Sequence, residues 1–185
     1  CRCRFLPRPA PCCSAGRDGP REGAASEALP KGVEAARWYA KGLDRLRRFD
    51  AVAASELLQK AAAAEPSNPL IHAALEEAWT NLGEREKAKG EIRESVARSA
   101  PLPEEQRLRI EARSHELMEE WDAAAQAYRT LWGLFPDDPY YGLKLSQAQI
   151  SQRKREEALA TVEALRRIPP PAGADPRIDL AEARV

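Results

Sequence analysis

The sequence is short of the residues that build sheets and membrane spans. Only eleven of its 185 residues are aromatic, whereas Ala alone supplies 34. A core must therefore form by close approach of small-residue faces, which favours helix on helix over sheets of branched and aromatic side chains. The longest apolar runs are four residues, as at Ala61 to Ala64, far below the roughly 20 that a membrane-spanning helix needs. Charge of one sign is also lacking in excess: 29 Lys plus Arg balance 29 Asp plus Glu, which removes a global field toward nucleic acid or acidic membranes. Catalytic signatures are missing too, with no G-x-x-x-x-G-K-[ST], H-E-x-x-H or G-x-S-x-G. The only histidines, His72 and His115, read as partly packed helix residues. Carboxylate pairs such as Glu76-Glu77, Glu119-Glu120 and Glu156-Glu157 diverge by about 100° on a helix, so they cannot share one scissile bond. No catalytic residue, cofactor or metal is expected.

What is present is unevenly spread. Residues 1–32 hold all four cysteines (Cys1, Cys3, Cys12, Cys13), five of the fifteen prolines, and six basic against three acidic residues; residues 33–185 carry 23 basic and 26 acidic. The first stretch lacks helical or strand period and is crowded with Pro and Gly, so it is expected to be a disordered leader with oxidation-prone thiols. Structural zinc sites space each ligand pair by two to four residues, and here one pair is adjacent and the other is separated by a single Arg. The sequence begins without Met, which suggests a fragment or a processed chain. A cytoplasmic location is expected, with a lipoprotein or periplasmic one left open by Cys1 although no signal segment is present.

From Val33 onward the chain repeats itself. Ala54, Ala88, Ala124 and Ala158 are separated by 34, 36 and 34 residues; Leu58, Ile92, Tyr128 and Val162 follow four positions later, and Ala61, Ser95, Leu131 and Leu165 three after those. Small or apolar groups at i, i+4 and i+7 form one helix face, which must be buried. Asn68-Pro69, Leu102-Pro103, Asp138-Pro139 and Asp175-Pro176 place Pro where a second set of helices begins, with a capping Asn or Asp in three of the four. Pro66, Pro101, Pro136 and Pro170 end the preceding helices. The expected helices are 34–47 and 50–64, 69–82 and 84–99, 103–117 and 121–134, 139–151 and 154–168, with a ninth starting near Pro176. That ninth opens a unit whose second helix is absent, and its end is expected to fray.

This pattern resembles the tetratricopeptide repeat family. Trp38, Gly42, Ala54, Leu58, Ala61 and Pro66 carry the likeness in the first repeat. Leu75, Trp79, Leu82-Gly83, Ala88 and Ile92 carry it in the second, where His72 and Glu76 replace a bulky apolar and a small residue. The third keeps Leu108, Ala112, Ala124, Tyr128 and Pro136, and the fourth Leu145, Ser146, Ala158, Val162, Leu165 and Pro170. The resemblance implies an all-α, right-handed α-solenoid of four helix hairpins plus the start of a fifth over residues 33–185. Trp38, Trp79, Trp121 and Trp132 read as filling between hairpins. The parts EEWDAAAQAYRTLWGLFPDDPYYGLKLSQAQ and EEALATVEALRRIPPPAGADPRIDLAEARV look like the repeat regions of bacterial Ser/Thr kinases or winged-helix transcriptional regulators.

In such a solenoid the first helix of each hairpin lines a concave groove in which an extended peptide or partner helix lies. Its expected lining is Tyr39, Leu43 and Arg47, then Ala73, Glu77 and Asn81, then Arg109, Arg113 and Leu117, then Lys144, Gln147 and Ser151. One subset of the family clamps the terminal carboxylate of chaperone tails with Lys and Asn, but Tyr39, Leu43, Ala74, Gln106 and Ile110 at the matching positions include neither. That specificity is not carried over. A non-catalytic protein-interaction scaffold with a protein or peptide partner is therefore expected, and no nucleic acid, because the repeat region is net acidic. The alternative is a sensory or regulatory fragment of a larger bacterial signalling protein. Arg109, Arg113 and Lys144 are expected to stand as solvated charges that serve binding and contribute little to folding.

Overall fold

Residues 29–185 are described by a computed structural model; the leader through residue 28, and with it the reading of its four cysteines, lies outside the described residues. Nine α-helices follow in antiparallel pairs: α1 (Val33–Arg47) with α2 (Ala51–Ala64), α3 (Pro69–Asn81) with α4 (Arg85–Ala97), α5 (Glu104–Leu117) with α6 (Trp121–Leu134), α7 (Pro139–Ser151) with α8 (Arg155–Arg166), then α9 (Pro176–Arg184) after a short 3₁₀ turn at Ala172–Ala174. There is no strand among the described residues. The expected helix starts hold where a side chain can cap: Asn68 Oδ1 accepts the amides of Leu70 and Ile71 (3.0 and 3.4 Å), Asp138 that of Tyr140, and Asp175 that of Arg177 (both 2.9 Å). At the remaining start Pro103 is itself the cap residue in extended backbone, and α5 begins at Glu104, because Leu102 offers no capping oxygen.

The repeat positions form the core. Ala54, Ala88, Ala124 and Ala158 are fully buried, as are Leu58, Ile92, Tyr128 and Val162 behind them. Ser95, polar at one of these sites, donates its hydroxyl to the Pro69 carbonyl at 2.8 Å, which satisfies a group that would otherwise be costly to bury. The small residues allow close helix approach: a Cβ on Gly42 would lie 2.6 Å from Leu58 Cγ, and one on Gly142 2.5 Å from Leu165 Cδ2. Trp38, Trp79, Trp121 and Trp132 are half-buried. The packing falls into successive clusters along the stack. Leu46, Ala54, Leu58 and Leu75 join α1 to α3; Ile92, Leu102 and Ile110 join α4 to α5; Tyr128, Leu131, Tyr141 and Leu145 join α6 to α7; Val162, Leu165 and Ile178 seat α9. The chain is an all-α solenoid of TPR-like hairpins, and no helix among the described residues is long and apolar enough to cross a membrane.

Candidate binding face

The first helices α3, α5 and α7 lie within side-chain reach of one another, and polar side chains tie them together. Glu76, on α3, is almost wholly buried. Its carboxylate receives Arg113 of α5 through Nη2 at 2.8 Å and Nε at 3.2 and 3.3 Å, and the Thr80 hydroxyl at 2.7 Å. Arg113 Nη1 also donates to Glu116 Oε1 at 2.9 Å. Glu116 in turn accepts Lys144 Nζ of α7 at 2.9 and 3.1 Å and the Tyr128 hydroxyl of α6 at 2.7 Å. Two carboxylates and two cations thus alternate across three repeats, and each cation faces a partner. Tyr141 adds a further α7 to α5 link, donating to Glu105 at 2.8 Å.

The protonation states follow from this geometry. Burial pulls the Arg113 pKa down, but the Glu76 hydrogen bond and the charges of Glu76 and Glu116 outweigh it and hold the guanidinium above its ordinary value. Burial pushes Glu116 up, yet Lys144 and Arg113, with the Tyr128 and Lys144 hydrogen bonds, bring its carboxyl below the usual range. Glu77 beside them is raised, by desolvation first and then by the charge of Glu76. Tyr39 is raised by burial against the opposing fields of Arg109 and Arg47. Arg113 and Glu116 therefore stay ionised near neutral pH.

The charges of Arg47, Glu77 and Arg109 act on Tyr39, and those of Arg109, Arg113 and Lys144 act on Glu77. Six of the eight expected lining residues are thereby brought together. Asn81 and Gln147 are exposed, one near the end of α3 and one on α7, and no hydrogen bond joins them to the cluster among the described residues. Arg109 is exposed and enters no ion pair among the described residues. Arg113 and Lys144 differ from the expectation of solvated charge: their side chains are only 23% and 20% exposed, and both are spent on Glu76 and Glu116, because carboxylates at these positions cannot be buried unpaired. Reading the sequence did not find Glu116 or the Tyr128 hydroxyl. Glu76 carried a signal, as a carboxylate where a small residue was expected.

Elsewhere His72 is buried on α3, with Nδ1 2.7 Å from Glu91 Oε2 and Nε2 2.8 Å from the Pro66 carbonyl. Both partners only accept, so the imidazolium is the form that satisfies both contacts. The Glu91 hydrogen bond raises its pKa despite the opposing effect of burial. His115 is half-exposed, 2.6 Å from Glu120.

No family model matches the chain, and no curated protein matches it. Solved structures do. MamA 41-end from Desulfovibrio magneticus RS-1 is 15% identical, with 84% of this chain and 87% of that chain covered at a TM-score of 0.59. The MamA RS-1 ArsTM double mutant gives 15%, 84%, 86% and 0.58. A crystal structure of MamA gives 18%, 76%, 80% and 0.55. At such identities the likeness is one of fold. It agrees with the TPR-like helical repeat and does not extend to the kinase or regulator repeat regions.

Proposed function

We propose that the protein is a non-catalytic interaction scaffold that holds an extended peptide or partner helix in a groove lined by α1, α3, α5 and α7. The observation that carries this reading is the division of labour among the polar residues on these helices. Glu76, Arg113, Glu116 and Lys144 neutralise one another and fix the spacing of three repeats. Tyr39, Arg47, Glu77, Asn81, Arg109 and Gln147 are left to meet a partner. A preformed face of this kind lowers the ordering cost of binding, and it requires neither cofactor nor chemistry. The partner's contribution is a segment with apolar side chains for Leu43 and Ala73 and polar groups for the flanking charges.

The reading is tested with peptides selected from a random displayed library on the full chain. Their affinity should fall about tenfold or more with Arg109→Glu combined with Gln147→Ala, in keeping with the loss of one charge-assisted contact and one neutral contact. It should be unchanged with Gln126→Glu on the exposed face of α6. Peptides that respond only to the α6 change would contradict it.

A further inference from the structure

We propose that the outer face of α1, away from the groove, docks on an anionic lipid bilayer. Arg37 and Lys41 of α1 and Lys60 of α2 surround the Trp38 ring, 5.8, 5.3 and 5.2 Å from its centroid. None of the three enters an ion pair among the described residues. Arg37, Lys41 and Arg48 recur at helical spacing in one row, opposite the buried Gly42 and Leu46. Tyr39, Leu43 and Arg47 occupy another side. The face is therefore distinct from the proposed groove, and the inference does not rest on it. Four acids share the region: Asp44 pairs with Arg48 at 3.1 Å and Asp50 with Arg45 at 3.2 Å, while exposed Glu34 and Glu56 lie one helical turn before Arg37 and Lys60 without pairing to them. The three cations around Trp38 thus outnumber the two carboxylates near them, and none is tied up in an ion pair among the described residues.

At the end of this row stands Phe49, 92% exposed and at φ 60°. The equivalent turn residues of the other hairpins are Gly83, Glu119 and Arg153, all at positive φ, so the turn demands a left-handed residue and has no need of an aromatic. A bulky side chain there is disfavoured by the backbone and gains no packing in return. Val33 and Val52, at the starts of α1 and α2, are also exposed. Cations arranged around an apolar ring, beside one protruding aromatic, suit a sheet of anionic headgroups. Charge along the chain agrees. Residues 29–66 carry seven basic and five acidic groups, against four and seven in residues 101–136, and residues 1–28 carry five Arg against Asp18, Glu22 and Glu27. Clusters of this size attract anionic leaflets.

Co-sedimentation of the full chain with phosphatidylcholine vesicles, with and without phosphatidylglycerol, tests this. Binding is expected only with phosphatidylglycerol and should weaken as salt rises. The triple change Arg37→Gln, Lys41→Gln, Lys60→Gln should lower it on the order of 100-fold. Phe49→Asn, which suits the left-handed turn, should lower it on the order of tenfold while the thermal midpoint holds or rises. Binding that ignores phosphatidylglycerol, or no binding at all, would overturn the proposal. So would equally tight binding to poly-L-glutamate that is indifferent to Phe49→Asn, since that assigns the face to an acidic polypeptide.

Discussion

Glu76 stands where the other three repeats carry Gly42, Ala112 and Ser146, so a charge occupies a site built for a small side chain. It is tolerated because Arg113 reaches back from the next repeat, and the cost of removing that partner is a charge left buried. We expect Arg113→Ala to destabilise the chain by about 2–4 kcal/mol, the lower part of the range for a broken buried pair because Arg113 keeps some exposure. Arg109→Ala should change stability by less than about 0.5 kcal/mol. Urea unfolding of both variants checks the contrast, and equal effects would place Arg113 among the solvated charges. Protonation gives a second expectation. The His72 pKa is raised from 6.5, so its contribution is complete below about pH 6.5 and is lost as pH rises through its folded-state value. The Glu116 pKa is lowered from 4.5, so its contribution is complete above about pH 4.5 and is lost as pH falls through its folded-state value. Thermal midpoints measured against pH should therefore decline below about pH 4.5 and above about pH 6.5, with the raised Glu77 adding a decline of its own as pH rises above 4.5, and His72→Gln should remove the part of the alkaline decline that lies above about pH 6.5. A decline in that range that survives the substitution undiminished would exclude His72 as its source.

At the scale of helices, the hairpins depend on how closely neighbours approach. Gly42 brings α1 against Leu58 of α2 with no room for a Cβ. Gly42→Ala should cost about 1–3 kcal/mol by overpacking, read as a lowered midpoint in denaturant at unchanged slope. Gly90→Ala on α4, where a Cβ meets nothing within 4 Å, should be neutral or stabilising through helix propensity. The period of Ala54, Ala88, Ala124 and Ala158 made these elements legible in the sequence, because a buried helix face must repeat at fixed spacing whatever else changes. The Asx-Pro pairs set the starts of α3, α7 and α9 for the same local reason. Residues acting between repeats were harder to read. Glu116 looks like any exposed helix carboxylate, and only the stacking of α5 between α3 and α7 brings Lys144 and Tyr128 to it. Arg113 and Lys144 were placed on the correct helices, but their partners lie 37 and 28 residues away, beyond any local pattern. Spacing alone could name positions on the first helices; that Arg113 and Lys144 are paired came from the packing.

For the whole molecule, stability is close to a sum of hairpin terms and neighbour interfaces. The ion quartet adds links that skip from one first helix to the next. Under the proposed function its consequence is a face whose first helices α3, α5 and α7 are already tied together by ion pairs. Hydrogen exchange of the full chain, with and without a selected library peptide, tests that claim most directly. The account predicts slowed exchange on binding in α1, α3, α5 and α7, greatest in α3 and α5, with α2, α4, α6 and α8 little changed. Slowing confined to the second helices would contradict it.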